Sequence, residues 1–160
     1  MARARGKRHP SGDVQPVERP RYALAVEGDL ATISVEAPTW AALLEGAVLA
    51  ASDAVRPLGC FDVWTARRVT ARGATPTAVV AQWVAAVVSD HESSGFLPAL
   101  VEVDRAEPTR AHAILRGGVA PESAGAPERH VLEVAAGSIA VEEGRDGTPW
   151  RARFALRLAP

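Results

Sequence analysis

The chain has one cysteine, Cys60, and one lysine, Lys7. A single cysteine excludes an intrachain disulfide and any zinc cluster built from several thiolates, and it fits a reducing compartment such as the cytoplasm. No apolar run approaches the ~18 residues needed to cross a membrane. The N-terminus is basic but lacks the apolar stretch of a secretory signal. Neither sign of charge dominates: the net charge is -1, so bulk charge argues neither for nor against a nucleic-acid partner.

What is present is enough apolar residue for a core, 48% of 160 positions, which predicts one domain with a tail. Residues 1–20 read as a disordered basic arm. They carry Arg3, Arg5, Lys7 and Arg8, then Pro10, Pro16 and Pro20, with almost nothing apolar. Such an arm is either a solvated tail or a phosphate-binding segment. The domain is expected over residues 21–160.

Its opening alternates. Tyr22, Leu24 and Val26, then Ile33 and Val35 after the polar turn Glu27-Gly28-Asp29, predict a β-hairpin. Thr39 suits an N-cap, and Trp40, Leu43, Leu44, Ala47, Val48, Ala51 and Val55 form the apolar stripe of a helix that Pro57 and Gly59 end. Val69 and Ala71 mark a strand. Thr75-Pro76 opens a second helix to about His91, with Val79, Val80, Trp83, Val84, Val87 and Val88 on one stripe.

Strands are expected over Leu97 to Asp104 and His112 to Arg116, with Gly117 to Pro127 as a loop. Arg129 to Ala135 and Gly137 to Glu142 read as strands, and Gly144 to Gly147 as a hairpin turn. In the last strand Trp150, Ala152, Phe154, Leu156 and Leu158 face in while Arg151, Arg153 and Arg157 face out. This order predicts an α+β fold: one mostly antiparallel sheet with two helices on one face.

Several of these segments resemble the archease family: the turn Ala37-Pro38-Thr39-Trp40 into the first helix, the Trp83 helix in register with Gly95-Phe96, and the C-terminal hairpin ending in Trp150 to Leu158. The resemblance spans about Tyr22 to Leu158. It implies a small non-catalytic protein that activates a GTP-dependent RNA-splicing ligase in RNA and tRNA processing, with at most indirect RNA contact and no DNA or membrane partner. It also implies a divalent cation, calcium or magnesium, held by carboxylates. Here the family's metal positions fall on Leu30, Arg157 and Leu158, and Asp29 serves only if the register slips by one. The lysine, threonine and histidine of the preceding strand fall on Leu132, Ala135 and Gly137. A guanidinium supplies no lone pair to a dication. The expectation is therefore a degenerate site that binds no metal, with Asp29 and Arg157 close together as a charge pair.

Other chemistry is weaker in the sequence. Asp90-His91-Glu92 are adjacent on a helix, point in different directions and read as cap or solvated surface. His112 and His130, with Asp29 or Glu133, are the residues a small hydrolase or metal site would use. Cys60 has no evident histidine partner, and Gly117-Gly118 lacks the lysine of a phosphate loop. Arg151, Arg153 and Arg157 are either a partner or RNA surface, or a face neutralised by Glu142 and Glu143. Two further functions stay open: a metal-independent interaction module with another partner, and the small hydrolase.

Overall fold

The computed structural model describes residues 20–55, 65–119, 130–135 and 137–159, and the side chains of all of these except 130–132. The expected arm, Cys60, and the stop at Pro57 and Gly59 lie outside the described residues.

The first hairpin pairs β1 (Arg21–Glu27) with β2 (Leu30–Ala37). Alternation puts Ala31, Ile33, Val35 and Ala37 of β2 into the core. Thr39 then caps α1 (Trp40–Val55), its hydroxyl accepting the Ala42 amide at 3.1 Å. After β3 (Thr65–Arg72) comes α2 (Pro76–Ser94), where Thr75 accepts from the Ala78 amide and Pro76 occupies the first turn. α2 runs three residues past the expected His91. Ser93 and Ser94 donate to the Asp90 carbonyl, and left-handed Gly95 closes the helix onto the His91 carbonyl at 2.7 Å.

Five strands follow in all-antiparallel pairings with the rest: β4 (Phe96–Glu107), β5 (Arg110–Val119), β6 (His130–Val134), β7 (Ala140–Glu142) and β8 (Trp150–Ala159) complete the set begun by β1 to β3. β5 extends through Gly117 to Val119, where a loop was expected. There β4 shifts register at Pro98, and a Cβ on Gly117 would run into the Leu97 carbonyl. The β7–β8 turn forms as the sequence predicts, with Asp146 and Gly147 both at positive φ and Thr148 donating to Arg145.

The α+β class holds, but the strands divide into two sheets where one was expected. β1-β2-β8-β6 form the first, with β7 also pairing β8; β3-β5-β4 form the second. Each helix touches both sheets. α1 meets β1, β2 and β8 on one side and β4 on the other; α2 meets β3, β4 and β5, and also β6 and β7. The helices thus hold the sheets together, and the core lies around them. Trp83 is fully buried, and its indole N–H donates to the Leu44 carbonyl of α1 at 3.0 Å. Ser52 of α1 donates to the Pro98 carbonyl of β4 at 2.8 Å, and the Trp40 indole donates to Glu107 at 2.9 Å. These polar groups are satisfied in this way at the helix–helix and helix–sheet contacts.

Candidate functional site

The outward arginines of β8 lie on the solvent face of the first sheet, and strand register decides their neighbours. Arg21, Glu36, Arg151 and Glu142 form one row across β1, β2, β8 and β7. Ala23, Ser34, Arg153 and Ala140 form the next. Glu27, Leu30, Arg157 and Glu133 form the row at the opposite end, Glu133 lying on β6.

Two of the three arginines are neutralised, but not by the glutamates expected. Arg151 pairs with Glu36 at 3.2 Å and Arg157 with Glu133 at 3.4 Å. Glu143 pairs instead with Arg145, and Glu142 makes no ion pair among the described residues although it stands opposite Arg151. Arg153, between the two pairs, has no carboxylate partner among the described residues. A shallow groove of about 700 Å³ runs past it, lined by Arg21, Ser34, Glu36, Glu142 and Arg151. These pairs are about half exposed, so each contributes only about 0–1 kcal/mol to stability. What they fix is the charge pattern of the face.

Asp29 sits in the β1–β2 turn, exposed, and its carbonyl accepts the Leu158 amide at 2.6 Å. Asp29 and Arg157 therefore do lie at the ends of neighbouring strands. The expected charge pair between them is absent, because β6 brings Glu133 directly opposite Arg157 on the other side of β8. Leu30 faces Arg157 and offers no oxygen, and Leu158 is buried. Ala135 has no coordinating side chain; its amide donates to Ala155 and its carbonyl accepts from the amide and hydroxyl of Ser138, and Gly137 takes a positive φ in the bend before β7. The side chain of Leu132 lies outside the described residues. A dication needs several hard oxygens converging on one point. Asp29 alone, next to a guanidinium, does not fit one. Among the described residues no three His, Cys, Asp or Glu side chains come together as a metal site.

The two histidines lie on strands of different sheets. His112 is on β5 of the second sheet and His130 on β6 of the first. His112 takes Asp104 as its partner, Nδ1 to Oδ1 at 2.5 Å, and neither Asp29 nor Glu133. That hydrogen bond is the main cause holding the Asp104 carboxyl below the usual carboxylate range. Sequence reasoning missed the pair. The two-residue connection Pro108-Thr109 sets Arg105 opposite His112; Asp104 reaches it only because the strand shifts register between Val103 and Arg105, and nothing in the sequence marks that shift. Asp90 pairs with Arg67 at 3.9 Å and His91 offers its carbonyl to the helix cap, while Arg67 stacks 5.3 Å over the Phe96 ring. Gly117-Gly118 is strand, not a phosphate loop.

No protein-family profile matches this sequence, and no curated protein matches it. Among solved structures, the solution structure of Methanobacterium thermoautotrophicum protein 1598 is similar, with a TM-score of 0.66 over 85% of this chain and 97% of that one. The two share 15% sequence identity, so the likeness speaks for the fold alone, and that fold is archease-like.

Proposed function

We propose that this chain is a non-catalytic, cytoplasmic accessory protein of a GTP-dependent RNA-splicing ligase, and that it works without a bound dication. The observation carrying the proposal is the Arg157–Glu133 pair at the place where the resemblance expects a metal. A permanent cation, oriented by a carboxylate, is presented there at the surface, with Arg153 uncompensated further along the same face of β8. A guanidinium is charged at every accessible pH and needs no free calcium, so engagement of an acidic patch on the ligase is independent of dication supply.

The test is ligase guanylylation and multiple-turnover RNA joining with this chain added, in buffer with and without EDTA, the ligase's own metal being restored selectively. The expected result is stimulation that a calcium chelator leaves unchanged and that Arg157→Glu removes. Stimulation lost on calcium chelation, or retained by Arg157→Glu, sinks the reading. If the ligase neither binds nor responds, the same charged face belongs to an interaction module with another partner.

A further inference from the structure

The exposed strand edges of the two sheets are treated very differently by the sequence. β4 carries Pro98, two register shifts, and the charges Glu102, Asp104, Arg105 and Glu107. β3 carries Arg67, Arg68 and Arg72. Proline, bulges and charge are devices that discourage a sheet edge from pairing with another chain. β1 has none of them along its middle. Its register with β2 is unbroken, and Tyr22 to Val26 contain no charge, proline or glycine. Among the described residues nothing pairs its outer edge.

We propose that β1 pairs antiparallel with β1 of a second copy of this chain, joining the two five-stranded sheets across a two-fold axis at Leu24. This goes beyond the ligase reading and does not depend on it. Pro20 precedes the strand and Gly28 follows it, so its length is set at seven residues with Leu24 at the midpoint. Gly28 has φ 62, the first central position of a two-residue turn of the II′ kind. Such a turn closes on a hydrogen-bonded pair, here Glu27 and Leu30. Alternation of the antiparallel ladder then leaves the amides and carbonyls of Tyr22, Leu24 and Val26 directed at the free edge. Pairing about Leu24 opposes these same residues: Leu24 faces its own copy and Tyr22 faces Val26 of the second copy, so every free group on the edge finds a partner.

The charges agree with that register. Arg21 comes to face Glu27 of the second copy, twice by symmetry. Both residues are exposed, and neither has an ion pair among the described residues. The end rows of the sheet then run on across the axis: Glu133, Arg157, Leu30, Glu27, followed by Arg21, Glu36, Arg151 and Glu142 of the second copy. Sign alternates along the whole row except at Leu30. A parallel arrangement sets Arg21 beside Arg21 and Glu27 beside Glu27, which is destabilising, and an antiparallel shift by two residues loses both charge pairs. On the other face, Val26, 38% exposed, gains the Tyr22 ring of the second copy as a cross-strand neighbour. The contact is isologous and closes at two copies.

Sedimentation equilibrium of the full chain over a wide concentration range tests this. The expected result is a monomer–dimer equilibrium. Arg21→Glu alone or Glu27→Arg alone should raise its dissociation constant by about tenfold, because two attractive pairs become repulsive. The double variant Arg21→Glu/Glu27→Arg restores complementarity and should return the constant to about the starting value. Circular dichroism and melting check that each variant is folded. A monomer at millimolar concentration overturns the proposal. So does a dimer indifferent to the single substitutions, or one that the double variant fails to rescue.

Discussion

Helices α1 and α2 show the same apolar spacing in the sequence but meet different surroundings in the fold. α1 buries eleven of its sixteen residues and exposes none of the others; α2 buries six of nineteen and leaves Gln82, Ala85, Ser89 and Glu92 to Ser94 in solvent. The stripes are equivalent, so the difference lies in the back faces. Behind the stripe of α1 stand Gly46, Ala50, Ser52 and Ala54, all small and all buried. Gly46 lies against Val35 of β2 and Ser52 bonds Pro98 of β4, so small residues on different sides let α1 be covered by both sheets. A helix apolar or small around its whole circumference is an interior helix. The back face, and not the stripe, decides whether a helix is covered once or twice.

The sharpest way to break this picture is at the contact that joins the two helices. Trp83 is fully buried and hydrogen-bonded to Leu44 of α1. Trp83→Ala should cost about 3–5 kcal/mol, measured by urea unfolding, since it leaves a large cavity in the core where α2 meets α1. A loss below about 1 kcal/mol would mean the helices are not held together there.

Next comes a matched pair of substitutions. Ala47→Leu on the enclosed helix should destabilise by about 1–3 kcal/mol, because there is no space for three added carbons. Ala85→Leu, on the exposed side of α2, should change stability by less than about 0.5 kcal/mol. Equal effects at the two sites would erase the distinction between the helices. A smaller effect is expected at Ser52, whose buried hydroxyl ties α1 to the Pro98 carbonyl of β4. Ser52→Ala should cost about 1–2 kcal/mol, and no cost would show that β4 does not close over α1 as tightly as described.

These residues also mark how far the sequence could be read. Both helix starts were legible, because Thr39 and Thr75 each sit where a hydroxyl satisfies a free amide. So was the inward–outward alternation of β8, and the Asp146-Gly147 turn that feeds it. The division into two sheets was not legible. Alternation says which face of a strand is buried and is silent on which strand lies beside it, and β3 finds β5 only after α2 and β4 intervene. The same limit hid the partner of Arg157. Its acidic neighbour comes from β6, and Asp29, close in space, lies one residue outside the β2–β8 ladder. A charge pattern read along one strand cannot name the partner across the next.

The smallest expected effect concerns the link between α1 and the first sheet. Tyr22 of β1 donates its hydroxyl to Asp53 of α1 at 3.3 Å. Burial is the main cause that raises the Tyr22 pKa above 10.0, and the neighbouring Asp53 charge and hydrogen bond add to it. The folded state therefore holds this proton more tightly than the unfolded chain does. The stabilisation is fully present below the ordinary tyrosine value and is lost as pH rises through the raised folded value, so it shows only on the alkaline side. Tyr22 is the only tyrosine, so the absorbance of tyrosinate reports this one group. The expected midpoint lies above 10.0 in the folded protein and falls toward it in urea. Asp53→Asn should lower the folded midpoint without bringing it all the way back, because burial remains. A folded midpoint at or below the ordinary value would mean that β1 does not lean on α1 at this point, and α1 would then be open on the side where it is described as closed.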